Sequence, residues 1–563
     1  MDRSCTGPAR LLSSQPGARG VKSGWTRCPA RDREVRLPAF TAGHVNRSRT
    51  KSVSTNRTIV RNASIVSGAT MLSRGLGLVR DLIMAYTLGA SVLADAFFVA
   101  FRVPNLLRSL FAEGSLTMAF VPTFVRVRQE HGDRAAFVLA RSIQFWLVVI
   151  LGLLTLLVLL FPKAVTLLIA SGFAAKRPEM FELTAGLVQI CFPYILFISG
   201  VALCMGVLNS MGHFLVPALA PCILNIVLIA ASLLAIALGG NVAMYLAWGV
   251  LVAGLGQWLL QQPILRAKGF SWAGPVEPLS PGVRRIGVLM LPTILGSAVY
   301  QINILIGTGM ASFLPEGSVS YLYYADRLFQ FPLGVFGVAV GVATLPSLST
   351  LAAPERREEF RDTLASSLGL TLFVNLPAAA GLAGLSLPLV GLLFGRGEFS
   401  EAAVHGTALA LLGYVIGLPA FSSVRSLASA YYALGDTRTP VRIAMGCLVV
   451  YVATGFVSMQ YLGHVGLALA SSMSAWFNVL LLGYFLRRHL GPWFRLGRDL
   501  LASLGLSLAL LAGCWASAKL GGVSLLFIPL WAAAYMALGL ALGVSQARLF
   551  ADVLGRRLRR GKA

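Results

Sequence analysis

Acidic side chains are scarce in this sequence, with 22 Asp and Glu among 563 residues. Charged residues of both signs reach only 12%, about half the fraction of an ordinary soluble protein. That shortage excludes a large solvated surface. The seven cysteines show no paired or metal-ligand spacing; Cys191, Cys204, Cys222, Cys447 and Cys514 sit in apolar runs, as small packing residues do. The six histidines are scattered without metal spacing and read as loop or packing residues. No Asp-rich motif and no Ser/His/Asp arrangement is present. This argues against an enzyme working through Mg²⁺ or a nucleophile–base pair, and no metal or other cofactor is expected.

What remains is apolar: 56% hydrophobic residues and a mean hydropathy of +0.75. Fourteen apolar segments of helix length follow residue 61. They fall at about 61–88, 92–125, 136–162, 182–211, 215–238, 241–265, 283–313, 318–347, 358–394, 402–434, 439–461, 464–487, 498–519 and 523–546. The fold expected is an all-α polytopic membrane protein with fourteen transmembrane helices. Several segments exceed the roughly 20 residues that span a bilayer and should tilt or project.

The net charge of +25 has a location. With the N-terminus inside, the cytoplasmic loops carry Arg126, Arg128, Arg134; Arg266, Lys268, Arg284, Arg285; Arg356, Arg357, Arg361; Arg438, Arg442; and Arg487, Arg488, Arg495, Arg498. The opposite loops are poor in Lys and Arg, and their most basic stretch, Lys176-Arg177, is balanced by Glu179 and Glu182. This alternation predicts an even number of spans with both termini cytoplasmic, and it accounts for the charge without nucleic acid.

Residues 1–58 hold twelve Lys and Arg against three acids and no apolar run. They read as disordered and lack the h-region of a signal peptide. Two readings stand: an extension without function, the true start lying near Val53, or a basic segment that touches anionic lipid.

An internal repeat organises the rest. Arg102 and Pro122 match Arg327 and Pro346, and Met211 to Pro217 matches Leu434 to Pro440, at an offset of 223–225 residues. Two parallel six-helix lobes follow, 59–270 and 271–490, with a site expected between them near the midplane. Residues 491–547 add two C-terminal helices, and 548–563 form a basic cytoplasmic tail.

Residues 73–122 break the apolar rule with Arg74, Arg80, Asp81, Asp95, Arg102, Arg108 and Glu113. Each charge at membrane depth costs about 2.5–3.5 kcal/mol, so such residues face a bundle interior or a watery cavity. On a straight helix Asp95, Arg102 and Glu113 fall within about 20° of one face, and Pro104 permits a kink that returns Arg108 to it. Arg74 and Asp81 share a face of the first span. Tyr321, Tyr323, Tyr324, Asp326 and Arg327 are the second lobe's counterpart, and Arg425 adds a further cation. Arginines 74, 80, 102, 108 and 327 outnumber acids 81, 95, 113 and 326 by one, and Arg425 makes the excess two. The acids hold arginines in place or latch the lobes; the excess awaits an anion, for which the planar Arg fork suits phosphate. The competing reading is that all of them are structural ion pairs in helix packing.

SRGLGLVRD, GASVLADAFFVAFRVPNLLRSLFAEGSLTMAFVP, SVSYLYYADRLFQFPLGVFGVAVGVATLPSLS, ICFPYILFISGVALCMGVLNSMGHFLVPALAP and LGDTRTPVRIA resemble, in order over about residues 60–550, the MurJ (MviN) family of lipid II flippases. The resemblance implies the MOP-superfamily fold, with the two C-terminal helices forming a groove for the lipid tail. It implies alternating-access transport of undecaprenyl-diphosphate-linked disaccharide-pentapeptide across the bacterial inner membrane. It places Arg74, Arg80, Asp95, Arg108 and Arg327 as headgroup contacts or gating charges, with Asp81, Arg102, Asn105, Glu113 and Asp326 as secondary members. Membrane potential or an ion gradient is the driving force expected. A monomer is expected, working on lipid II among membrane lipids, with peptidoglycan synthesis and division proteins as further partners. The chain departs at Ser109, where many relatives have a second arginine, and at Gln330, where many have Glu. An exporter of another polyprenyl-linked glycan and a non-transporting cell-wall scaffold are the rivals; a drug-cation exporter would want an acidic cavity.

Overall fold

The computed structural model describes residues 45–109, 116–334, 338–494 and 497–560. The chain divides into two units, Met1–Val60 and Arg61–Ala563. Residues 1–44 lie outside the described residues. From Val45 the chain is helical, so the last part of the stretch expected to be irregular is not. No Gly or Pro stands between Val45 and Ser67 to stop a helix from extending upstream.

Regular structure among the described residues is helical, without strands. The first repeat comprises α1 (Val45–Leu88), α2 (Val92–Arg108), α3 (Leu116–Leu160), α4 (Pro162–Ile169), α5 (Ser171–Lys176), α6 (Pro178–Cys191), α7 (Tyr194–Ser210), α8 (Leu215–Leu238) and α9 (Val242–Ala267). The second comprises α10 (Pro281–Ser312), α11 (Ser318–Pro332), α12 (Val338–Ser349), α13 (Arg357–Gly384), α14 (Ser386–Phe394), α15 (Glu401–Val415), α16 (Leu418–Ala433) and α17 (Arg438–Leu490). The chain continues through α18 (Arg498–Ala518), α19 (Ile528–Ala541) and α20 (Ser545–Arg560). The duplication shows in the interruptions. The break between α6 and α7 recurs between α15 and α16, and the short α4 recurs as α14, each 224 residues later.

Among the described residues, nine helices are long and apolar enough to cross a membrane, against fourteen expected segments. α17 holds two of those segments, joined through Gly463 at φ 55°. α2, α11 and α12 are short pieces of interrupted spans, and α1 carries three charges within eight residues. The C-terminal basic segment, expected as a tail, is helical through Arg560.

One end of the bundle is closed between the repeats. At that end Lys176 donates to Phe313 O at 2.6 Å, the Gly172 N–H donates to Ser312 Oγ at 3.0 Å, and the Glu398 N–H donates to Tyr86 O at 3.0 Å. The core there is shared, mixing Phe97, Phe98 and Phe192 of the first repeat with Tyr324, Phe394 and Leu411 of the second. Toward the other end the core splits. Phe120, Phe124, Phe137 and Leu208 form one cluster, and Phe360, Leu364, Tyr431 and Leu482 form another. The repeats are therefore tied at one end, and at the other the core is split in two, the first cluster also taking in Val283 and Ile286 from the start of α10.

Gly89, at φ 61°, lets the turn after α1 enter the closed seam: a Cβ there would run into Glu398 O. Gly89→Ala adds left-handed strain of roughly 1–2 kcal/mol to that clash. The expected result is a lower thermal unfolding temperature of the purified protein; an unchanged temperature would show that the seam is loose.

Candidate functional site

α1, α2 and α11 all meet the closed end, and their charges line up by depth. At 1.5 Å per residue, Asp81, Arg80, Arg327 and Arg102 lie about 11–15 Å from the ends of their helices, and Arg74 and Arg108 about 21–24 Å. The hydrocarbon half-thickness is about 15 Å, so the first four fall near a midplane.

Asp81 is the hub of that layer, 4% exposed. Arg80, its neighbour on α1, donates Nε and Nη2 to Asp81 Oδ1 at 3.0 and 2.6 Å. From the second repeat, Arg327 Nε lies 3.5 Å from Asp81 Oδ2. That is an ion pair rather than a hydrogen bond, since Nε has no partner of hydrogen-bond geometry. Tyr323 fixes the approach. Its hydroxyl donates to Asp81 Oδ1 at 3.3 Å and accepts from Arg327 Nη2 at 3.2 Å. Arg327 lies over its ring at 4.7 Å, and the ring stacks on Phe98 of α2 at 3.8 Å. Two guanidinium groups from opposite repeats thus share one carboxylate and retain a net charge of +1.

Asp326 takes a hydrogen bond from Gln330, one turn along α11, and lies within the fields of Arg327 and Arg102. Where relatives are implied to have Glu at 330, the amide here braces a carboxylate. Ser109 is similarly reused: Gln301 Nε2 of α10 donates to its Oγ at 2.8 Å. Arg108 Nε donates to Asn105 Oδ1 at 3.1 Å. Arg74 is exposed and lies against the second repeat, its Nη1 3.1 Å from where a Gly334 Cβ would stand. Among the described residues Arg74, Arg102 and Arg425 make no ion pair. Glu113 lies outside the described residues.

Asp95 sits apart from the arginines. It is 1% exposed at the closed end. There α11 starts at Gly317, which has no side chain to cap the helix. Asp95 supplies the cap from the other repeat: Oδ2 accepts the Gly317 N–H at 2.8 Å, and Oδ1 accepts the Ser320 N–H and hydroxyl at 2.8 and 2.6 Å. The favour is returned, because Glu316 Oε1 accepts the Val92 N–H at the start of α2 at 3.0 Å. Carboxylates at helix N-termini satisfy orphan donors and oppose the positive dipole end.

The charged residues inside the apolar spans announced themselves in the sequence; their neutral partners, and Glu316 in its loop, did not. Asn225 of α8 accepts from Arg80 Nη1 at 3.0 Å. The available signal was an amide in an otherwise apolar span. Glu316 and Ser320, in a loop and at a helix start, gave none.

The family model described as lipid II flippase MurJ matches residues 84–538. A probable lipid II flippase MurJ of Vibrio cholerae is 38% identical over 441 residues, covering 76% of this chain and 83% of that protein. The lipid II flippase MurJ of Burkholderia cenocepacia is 38% identical over 428 residues, covering 75% and 83%. Among solved structures, a lipid II flippase MurJ in an inward closed conformation superposes with a TM-score of 0.69 at 27% identity, covering 88% of this chain and 99% of that one. An inward-facing multidrug resistance MATE transporter of the MOP superfamily, at 16% identity and a TM-score of 0.63 over 77% of this chain and 98% of its own, shares the fold.

Proposed function

Because the chain belongs to the MurJ family of lipid II flippases, a family of transporters and not enzymes, we propose that it moves undecaprenyl-diphosphate-linked disaccharide-pentapeptide from the inner to the outer leaflet of a bacterial inner membrane. The observation that carries this reading is the half-compensated arginine pair. Among the described residues the acid ion-paired to Arg80 and to Arg327, which come from different repeats, is Asp81, and Arg74 and Arg102 add charge beside and beneath them. A diphosphate supplies the missing negative charge, bound by bidentate guanidinium contacts.

Direction follows from the loops. Arg128, Arg141, Arg356 and Arg361 all lie at the end where the cores part. Loops rich in arginine stay in the cytoplasm, so both termini are cytoplasmic and the closed end faces outward. Capture begins from inside while the undecaprenyl chain stays in lipid. Neutralising the arginines lets the halves close on the cytoplasmic side, and the outer seam of Asp95 and Glu316 then opens. Return of the unloaded positive charge couples to membrane potential at about 2.3 kcal/mol per charge per 100 mV.

The test is replacement. A bacterium depleted of its resident flippase and expressing this chain should regain lipid II in the outer leaflet. Arg74→Ala, Arg108→Ala and Arg327→Ala should each reach the membrane and fail. Normal growth with all three variants would remove the arginines from the site; lipid II held inside by the intact chain would assign another glycan lipid.

A further inference from the structure

α8 is apolar along its length except for Asn225 and Ser232. An amide in such a span persists only when its polar atoms are used. Asn225 is 5% exposed and uses both. Its Oδ1 accepts from Arg80 Nη1 at 3.0 Å, and its Nδ2 donates to Ser73 O at 3.0 Å. Gly77 faces it across the interface, where a Cβ would already be in van der Waals contact at 3.7 Å. α8 is thus pinned to α1 on both sides of the turn that bears Arg74 and comes before Arg80.

The chemical identity of this brace matters more than its shape. Arg80 offers Nε and Nη2 to Asp81 and Nη1 to position 225. A carboxylate at 225 would accept that donor as well as an amide does. It would also bring Arg80, Arg327, Asp81 and itself to zero net charge. The amide accepts the hydrogen bond and leaves the charge in place. At near-contact distances in a poorly solvated site, one unit of charge outweighs one hydrogen bond in attracting an anion.

We propose that Asn225 is a positioning residue that holds Arg80 in the site while keeping the Arg80–Asp81–Arg327 group at net +1, and so sets the attraction for a lipid diphosphate. This rests on the flippase reading above. The test uses the purified full chain and two probes, undecaprenyl diphosphate and undecaprenol. The intact chain should prefer the diphosphate at least tenfold. N225D should lose at least tenfold affinity for the diphosphate and none for the alcohol, and should bind the diphosphate more weakly than N225A. Both variants lose the donor to Ser73 O and only N225D adds charge; a diphosphate affinity of N225D no weaker than that of N225A, or an equal loss for the alcohol, overturns the proposal. If the intact chain shows no preference for the diphosphate, the flippase site itself is misassigned. Should N225D not fold, N225T, which keeps an acceptor without charge, is compared with its isostere N225V. N225T should stay within threefold of the intact chain and N225V should lose tenfold; equal losses overturn the proposal.

Discussion

Asp95→Ala is expected to abolish transport while leaving the protein in the membrane. The carboxylate is buried and accepts three hydrogen bonds from the first turn of α11. Removing it strands two backbone N–H groups and a hydroxyl in the seam. Hydrogen bonds to a charged group are worth roughly 1.5–3 kcal/mol each, and they do not add fully. A loss of about 3–5 kcal/mol would move the balance between closed and open outer ends by roughly two to four orders of magnitude. The closed outer end, which the proposed cycle uses for capture, would become the minor state. Asp95→Asn keeps the shape but turns an NH₂ toward the donors, so its loss should be nearly as large. Spin labels at Ala175 and Glu401, both exposed at that end, report the change. The label distance should lengthen in the variant. Unchanged distances together with normal outer-leaflet lipid II would reduce Asp95 to packing.

The second large effect is expected at Asp81. Asp81→Asn leaves Arg80 and Arg327 facing each other with no carboxylate between them. Breaking a buried ion pair by removing one partner typically costs about 3–5 kcal/mol, and here two partners lose it. Thermal stability and transport should both fall sharply. The informative companion is the double variant Asp81→Asn with Arg327→Gln, which restores the charge balance. It should recover most of the stability, with a coupling of about 1–3 kcal/mol between the two changes. It should recover no transport, because the second repeat then contributes no cation at this layer. Simple additivity would mean that Arg327 and Asp81 do not act on each other.

Much of this arrangement could be read from the residues, for a physical reason. A charge inside an apolar span is costly, so Arg74, Arg80, Arg102, Arg108 and Arg327 stood out against their neighbours. The repeat was equally plain, because Pro and Gly interrupt both copies at the same spacing. Residues whose role depends on a distant partner were harder. The helical face grouped Asp95 with Arg102, yet Asp95 faces the start of α11, since a helix without a capping side chain takes one from wherever it is offered. Asn225 was passed over because a neutral amide carries no sign to count. Ser109 and Gln330 looked like lost charges. Their hydrogen bonds to Gln301 and Asp326 show that polar contact was kept at both places and ionic contact was not.

The reciprocal caps bear on how such a chain is assembled. Asp95 and Ser320 are equivalent positions, as are Ser91 and Glu316, at the repeat offset. An ancestor built from two identical halves would have met itself across this seam. Two copies of the present first half would set one Asp95 carboxylate against the other, where Ser320 Oγ now stands 2.6 Å away. Each half has specialised into the complement of the other. The pairing is heterologous by charge, and a mixture of separately made halves should sort into first-with-second pairs and not first-with-first.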